Sequence, residues 1–194
     1  MTEGEKDPKE VAVLLLKATM LPDGEVFPRF DQPKYTPADY TRMACHILFR
    51  CQRCGTCCTT GDPIRLRPED AAQLAKHLKI PLNRALKKYT IPDPKKPGVL
   101  DFKHILPCKF YDRLAGGCKI YAARPWSCRI FPFLGVYGSS DQVVVNPSCP
   151  GSVETMKILT RAMEEVQREP EGYSPSTEEI RRSKEHLRRV LDEL

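Results

Sequence analysis

Eight of the nine cysteines in this chain fall into one spaced pattern, and no other feature constrains the fold as strongly. The pattern opens with a CxxCxxCC run at residues 51–58, continues with three cysteines spaced ten residues apart, and closes with a Cys-Pro pair. Its members are Cys51, Cys54, Cys57, Cys58, Cys108, Cys118, Cys128 and Cys149. Thiolates are soft ligands for iron and zinc, and short spacings let neighbouring cysteines reach one metal. The pattern therefore predicts a thiolate metal centre.

The rest of the composition favours metal ligation over disulfide bonding. An odd number of cysteines fits a disulfide framework poorly. Residues 1–10 carry mixed charge, and the apolar run from Val11 stops at Lys17, which is too short for a signal core or a membrane span. Without export the thiols stay in a reducing compartment. We therefore expect a cytoplasmic protein that does not associate with membranes.

The net charge of the chain is mild and predicts no nucleic-acid partner. It amounts to +6, which is typical of a solvated basic surface. A protein partner is expected instead. The C-terminal helix, which begins at Ser176 with a capping-box partner at Glu179, has a narrow apolar stripe between densely charged faces. That stripe suits either peripheral packing or the docking of a partner.

Length and hydrophobic periodicity predict a mostly α fold. The 194 residues suit one small domain, and 18 prolines indicate long loops of defined conformation that a metal can organise. Residues 91–98, rich in proline and lysine, are predicted to form a surface connection. Helices are predicted from Thr36 towards Cys51, over residues 68–79, from Pro81 to Tyr89, over residues 152–168 and from Ser176 onwards.

The N-terminal segment permits two interpretations. Asp7-Pro8 could cap a helix through residue 20, whereas the run VAVLLL before Pro22-Asp23-Gly24 could form a strand that enters a turn. We favour a short N-terminal β-hairpin, with Phe27, Phe30 and Tyr35 packed on the main body. The predicted organisation is an N-terminal extension with a lead-in helix over 1–49, a cysteine-cluster metal-binding domain over 50–151, and C-terminal helices over 152–194.

The three cysteines spaced ten residues apart belong to an internal repeat of cysteine, base, apolar residue and aromatic residue. Repetition predicts three similar local bends that each present a thiolate to a shared centre. Basic residues beside the cysteines can offset the negative charge of a thiolate-ligated centre and lower the thiol pKa values. These residues are Arg53, Lys109, Lys119, Arg124 and Arg129.

The identity of the metal follows from the spacing. Zinc sites usually show two separated CxxC pairs, whereas a triple run with a distant Cys-Pro is typical of ferredoxin ligation. We therefore expect an iron–sulfur cluster, [4Fe-4S] above other types, with zinc as the alternative. Eight thiolates exceed one four-ligand site. Cys57 and Cys58 are adjacent, and adjacent side chains tend to diverge, so they either serve two centres or include a spare ligand. Cys45 is expected to be a half-buried apolar residue and not a ligand.

The segments RCQRCGTCC, PCKFY and CKIYAARPWSCRIFPF, together with the late Cys-Pro, resemble the CxxCxxCC family of zinc- or iron-chelating proteins. The resemblance covers about residues 50–151. It implies that the metal ligands are Cys51, Cys54, Cys57, Cys58, Cys108, Cys118, Cys128 and Cys149. The best-understood relatives of this family are flagellin lysine N-methylases, which are larger and use S-adenosylmethionine.

Three functions remain open at the level of sequence. The first is a cytoplasmic iron–sulfur protein that acts in electron transfer, or as an accessory to the maturation or modification of another protein. The second is a protein methyltransferase-like enzyme that resembles the flagellin methylases. The third is a zinc-stabilised interaction module. No catalytic residues can be assigned, because no serine–histidine or paired-carboxylate arrangement rises above background. Whether the protein is an enzyme stays open.

Overall fold

The computed structural model describes residues 6–25, 33–59, 64–103, 106–134, 141–168 and 174–194. The chain divides into two compact units. Unit 1 comprises Met1–Arg50 and Pro132–Leu194, and unit 2 comprises Cys51–Phe131. Unit 2 therefore contains every cysteine of the pattern except Cys149. The predicted three-segment organisation stays a prediction.

Helices dominate the described residues, which confirms the mostly α fold. The helices are α1 (Pro8–Thr19), α2 (Pro37–Leu48), α3 (Thr56–Thr59), α4 (Pro68–His77), α5 (Leu82–Tyr89), α6 (Trp126–Ile130), α7 (Pro150–Arg168) and α8 (Thr177–Asp192), with one 3-10 turn, η1 (Tyr121–Ala123). The strands are β1 (Arg65–Leu66), β2 (Thr90–Pro92), β3 (Leu100–Phe102), β4 (Tyr111–Asp112) and β5 (Gly117–Cys118). Within the described ranges, none of these helices has both the length and the apolar character that crossing a bilayer requires.

The N-terminal segment forms helix α1, so the preference for a β-hairpin was wrong. The Asp7 side chain accepts a hydrogen bond from the Lys9 amide at 2.9 Å, and Pro8 occupies the first turn. The buried side chains of α1 recur at helical spacing, and this single apolar face decides between the two interpretations. They are Val11, Ala12, Leu15 and Ala18. Phe27 and Phe30 lie outside the described residues.

Unit 1 packs four long helices around one core. Helix α1 lies against α2, α7 and α8, and α2 also contacts α7 and α8. The capping box predicted at Ser176 is present, and Thr36, the predicted start of α2, forms another with Asp39. The largest fully buried side chains of this core are Leu15, Tyr40, Phe133, Leu159 and Leu187.

A buried carboxylate ties the turn after α1 to α2 and α8 in unit 1. Oδ1 of Asp23 accepts hydrogen bonds from the Tyr40 hydroxyl and from Lys184 Nζ, both at 2.9 Å. Its Oδ2 accepts hydrogen bonds from the Tyr35 amide at 2.7 Å and from Arg188 at 2.6 Å. Because Lys184 is 0% exposed, its ammonium depends on Asp23 for charge compensation.

Unit 2 combines α4 and α5 with two small antiparallel sheets that the sequence did not predict. Strand β3 lies between β1 and β2, and Asp101 is opposite both Arg65 and Ile91. Strands β4 and β5 form a hairpin. Residues 91–98 were predicted to be a surface connection, but the first two belong to β2. The core of this unit contains Leu66, Leu74, Phe102, Phe110 and Ile120.

Candidate metal centre

The CxxCxxCC run forms a tight loop that leads into the short helix α3. Cys51 and Cys54 lie on the loop, and Cys57 and Cys58 lie on α3. Gly55 has φ of 80°, a backbone conformation that side chains with a Cβ rarely adopt. A Cβ at this position would also come within 2.2 Å of the Tyr111 ring. The loop can therefore approach the β4–β5 hairpin only because position 55 is a glycine.

Two further contacts join this loop to the segment that contains the later cysteines. The aliphatic part of Arg53 lies against Gly117, where an added Cβ would be 3.0 Å from the Arg53 Cδ. The amide of Cys108 donates a hydrogen bond to the Cys58 carbonyl at 2.6 Å. Residues fifty positions apart in the sequence are thus held together by their backbones, so the site does not rest on side-chain contacts alone.

The three repeated cysteines lie in three different local structures, which contradicts the prediction of three similar bends. Cys108 lies in the turn before β4, Cys118 ends β5, and Cys128 lies in α6. The repeated sequence does not set the local conformation, because the neighbouring residues differ. Gly116 and Gly117 have positive φ before Cys118, whereas Pro125 opens a helical turn before Cys128.

A buried carboxylate positions the helix that presents Cys128. Asp70 is 2% exposed, and its Oδ1 accepts a hydrogen bond from the Trp126 amide at 2.9 Å. Its Oδ2 accepts one from the Arg67 amide, also at 2.9 Å, at the start of α4. Arg129 lies 3.6 Å from Asp70 as an ion-pair partner. Asp70 therefore fastens α6 to α4. Sequence analysis missed it, because the partner amide is 56 residues away.

Three thiols of unit 2 interact directly. The Sγ atoms of Cys57 and Cys58 are 3.9 Å apart, so the expectation that these adjacent side chains diverge is wrong. A hydrogen bond from the Cys58 thiol lowers the pKa of Cys57 to about 7. The same kind of bond to Cys58 lowers the pKa of Cys108 to about 6. The pKa of Cys58 rises because it is the donor in both bonds. Cys58 thus holds a proton between two thiols that ionise readily.

Two more thiols lie within electrostatic reach of these three. Burial raises the pKa of Cys118 and raises that of Cys128 to about 12, and the charges of Cys57 and Cys108 add to both shifts. The guanidinium of Arg124 opposes both shifts. We name this group the five-thiol cluster. It consists of Cys57, Cys58, Cys108, Cys118 and Cys128.

Residues 50–150 match the sequence model of the CxxCxxCC family, which is described as a "putative zinc- or iron-chelating domain". The chain belongs to this family. It is also 34% identical over 93 residues to the uncharacterised protein MJ0661 of Methanocaldococcus jannaschii, in a match that covers 45% of this chain and 46% of that protein. The chain thus spans about half the length of this curated relative. No solved structure matches the chain.

The CxxCxxCC domain brings five of its eight predicted ligands into one cluster. Cys51 is half-buried, and Cys54 is exposed with its Sγ 3.4 Å from the Thr56 hydroxyl. Cys149 is buried in unit 1, where its carbonyl accepts hydrogen bonds from the first turn of α7. Within the described ranges, no three cysteine, histidine or acidic side chains already have the geometry of a metal site. The donor chemistry of the five-thiol cluster fits iron or zinc. The individual ligands stay a prediction.

Cys45 was predicted to be a half-buried residue, but it is completely buried in the core of unit 1. It is 0% exposed, and its Sγ lies 3.5 Å from the Met156 sulfur. Burial raises its pKa to about 12, so at neutral pH it is a protonated thiol in an apolar environment. These properties are those of a core residue.

Of the basic residues predicted to offset the charge of the cluster, some interact with the thiols and others pair with carboxylates. The charge of Arg124 favours the thiolate form of Cys57, Cys118 and Cys128, although burial still raises the pKa values of the last two. Lys119 instead lies 3.5 Å from Asp112, and Arg129 pairs with Asp70. Arg124 also lies over the Tyr121 ring at 3.8 Å, which holds the guanidinium in place. Arg124 is thus the basic residue best placed to compensate a thiolate-ligated metal.

Proposed function

We propose that the CxxCxxCC domain binds a [4Fe-4S] cluster in the cytoplasm and that the protein acts in electron transfer, or as an accessory to the maturation or modification of another protein. The observation that supports this proposal is the five-thiol cluster. It exceeds the four thiolates of a structural zinc site and lies next to a loop with two further cysteines. Metal chelation in general is the property of the family.

The protonation of the thiols supports binding of a soft metal at neutral pH. Ligands must be thiolates, and Cys57 and Cys108 have pKa values of about 7 and about 6. Arg124 supplies positive charge beside the cluster, which favours the anionic form of its ligands. When bound, an iron–sulfur cluster supplies one-electron chemistry at a potential set by charge, hydrogen bonding and exposure. The residues that would hold it come from the five-thiol cluster, with Cys51 and Cys54 as the adjacent predicted ligands.

The reducing compartment is part of the same proposal. Nine free cysteines, of which seven lie in one 81-residue unit, would be prone to oxidation outside a reducing environment. A thiol with a pKa near 6 is especially reactive when no metal covers it. A cytoplasmic location keeps such thiols available for the metal.

The decisive experiment is anaerobic purification followed by quantification of iron, acid-labile sulfide and zinc, with an absorption spectrum. The proposal predicts iron and sulfide in equal amounts and broad absorption near ~400 nm. Stoichiometric zinc without sulfide would refute it and select the zinc-stabilised interaction module. Equilibrium binding of S-adenosylmethionine by the loaded protein tests the methyltransferase-like alternative.

A further inference from the structure

The charge of the chain is divided very unevenly between its two units. Unit 2 contains sixteen lysine and arginine residues against six aspartate and glutamate residues, a formal charge of +10. Because the whole chain carries +6, unit 1 carries −4. The mild total therefore conceals a strongly basic metal-binding unit, and a field of this size steers acidic partners.

Three lysines of unit 2 lie around Tyr89, and the backbone of a fourth, Lys87, accepts a hydrogen bond from one of them. Lys88 and Lys109 place Nζ at 5.1 Å and 5.6 Å from the centre of the Tyr89 ring. The Lys103 amide donates a hydrogen bond to the Tyr89 carbonyl at 2.7 Å. Its Nζ donates to the Lys87 carbonyl at 3.2 Å. We name Lys87, Lys88, Lys103 and Lys109 the lysine patch.

The lysine patch borders a small pocket, and among the described residues no carboxylate pairs with its lysines. A small pocket is lined by Tyr89, Phe102, Lys103, Cys108, Lys109 and Phe110, so two patch lysines and one thiol of the five-thiol cluster share it. All four lysines are exposed. Among the described residues, none of the four has a carboxylate within ion-pair distance, whereas Arg65, Lys119 and Arg129 do. Like charges that are left uncompensated around one tyrosine favour an external anion.

We propose that the lysine patch docks an acidic surface of a partner protein beside Cys108. This inference rests on the proposed function, because it takes Cys108 as a ligand of the metal centre that the partner approaches. Carboxylates of the partner would form the ion pairs that the patch lysines lack within this chain. Such interfaces are small and transient, and charge complementarity sets their association rate more than their affinity.

The surroundings of Tyr89 favour an acidic protein over a nucleic acid. Proteins that bind single strands stack bases on free aromatic faces. The Tyr89 ring already packs on Phe110 with centroids 5.2 Å apart, and two lysines lie over it. The patch also consists of lysines, which lack the bidentate fork that arginine offers to phosphate.

The test is fluorescence anisotropy with two labelled probes, a polyglutamate peptide and an oligothymidylate of equal charge. The perturbed protein is the Lys88→Gln, Lys109→Gln double variant. The matched control is Lys95→Gln, Lys96→Gln, which removes the same charge from the turn at the opposite end of the β2–β3 hairpin. Polyglutamate affinity at low salt should fall about tenfold in the first variant, because each exposed ion pair contributes up to about a fivefold effect. In the control it should change less than about twofold.

Equal losses in the two double variants would show attraction to the overall charge of unit 2 and would overturn the patch. Tighter binding of oligothymidylate than of polyglutamate, with the same dependence on Lys88 and Lys109, would overturn the choice of partner. Iron, zinc and sulfide are measured in the same preparations. If the protein contains zinc in place of iron but polyglutamate binding still depends on Lys88 and Lys109, only the proposed function is refuted. If it contains iron and sulfide but binding does not depend on these lysines, only the docking is refuted.

Discussion

Replacing Asp70 by Asn tests whether this carboxylate holds α6 and Cys128 in place. The side chain is 2% exposed and accepts one hydrogen bond on each oxygen, from the amides of Arg67 and Trp126. Asn keeps the size of the side chain but replaces one acceptor by an NH₂ donor. One of the two amides must therefore lose its partner in a buried place, and Arg129 loses its counter-charge.

The expected loss of stability follows from these contacts. A buried donor left unsatisfied costs about 1–3 kcal/mol, and a hydrogen bond to a charged group is worth about 1.5–3 kcal/mol. The ion pair adds less, because Arg129 is 29% exposed and lies 3.6 Å away. We therefore expect Asp70→Asn to lower the free energy of unfolding of unit 2 by about 2–4 kcal/mol. Metal content should fall as well, because Cys128 is no longer positioned.

Trp126 makes this unfolding measurable. It is the single tryptophan of the chain, it is the residue whose amide Asp70 accepts, and its ring lies 3.8 Å from the Arg67 guanidinium. Urea unfolding followed by tryptophan fluorescence thus reports directly on the contact between Asp70 and the Trp126 amide. Glu69→Gln is the matched control, because it removes the same charge from the same helical turn at an exposed position. The control should lose less than about 1 kcal/mol. Equal midpoints for the two variants would refute the role of Asp70.

Four other changes test the remaining parts of the structure. Cys45→Ser should keep full metal content, because Cys45 is a core residue, whereas Cys54→Ser and Cys118→Ser should lose metal; equal loss in all three would mean that the ligand set is wrong. In urea unfolding, Gly55→Ala should lower the free energy of unfolding of unit 2 by at least about 2 kcal/mol more than Gly98→Ala does. Both glycines have φ near 80°, but only at position 55 would the added methyl group clash with Tyr111. Chelation should make residues 91–150 protease-sensitive while α8 survives, and identical unfolding midpoints with and without metal would contradict a structural metal. Burial acts to raise the pKa of Asp23, but hydrogen bonds from Lys184, Tyr35 and Tyr40 lower it below 3.8, so the stabilisation by Asp23 is present above pH 3.8 and is lost as the pH falls through the folded pKa. Asp23→Asn should remove this acid-dependent stabilisation and lower the free energy of unfolding by about 3–5 kcal/mol, measured by circular dichroism. The control Glu25→Gln, at an exposed position, should not.

Features encoded within one turn of chain could be predicted from the sequence. The capping boxes at Thr36 and Ser176 are examples, because each joins residues three positions apart. Helices α4 and α5 also lie where periodicity places them, although α4 ends at His77, two residues before the predicted end. The N-terminal segment was mispredicted because turn residues near Asp23 suit a hairpin equally well. The buried face of α1 against α2, α7 and α8 resolves this choice, and only the tertiary structure shows that face.

The parts of the candidate site that could not be predicted are those that join distant residues. Strands of two or three residues give no readable alternation, so the sheet that places α5 beside β3 leaves no trace in the sequence. Asp70 looks like an ordinary acid in the first turn of a helix, and nothing local links it to Trp126. The ten-residue repeat was overinterpreted because it is visible in the sequence but does not determine the local conformation. The similar tetrapeptides that begin at Cys118 and Cys128 start at the end of a strand and within a helix, because glycine precedes one and proline the other.

The five-thiol cluster combines two opposing requirements on its cysteines. Cys128 is half-buried, which limits its contact with solvent but also raises its pKa to about 12, so a metal bound there would have to displace a proton. Cys58 also retains its proton, since it donates to Cys57 and Cys108. A metal at this cluster would therefore bind most readily at Cys57 and Cys108, whose pKa values lie near or below neutrality, and the other thiols would have to release protons. Because protons would compete with a metal for each of these thiols, we expect the metal affinity to rise with pH across the neutral range.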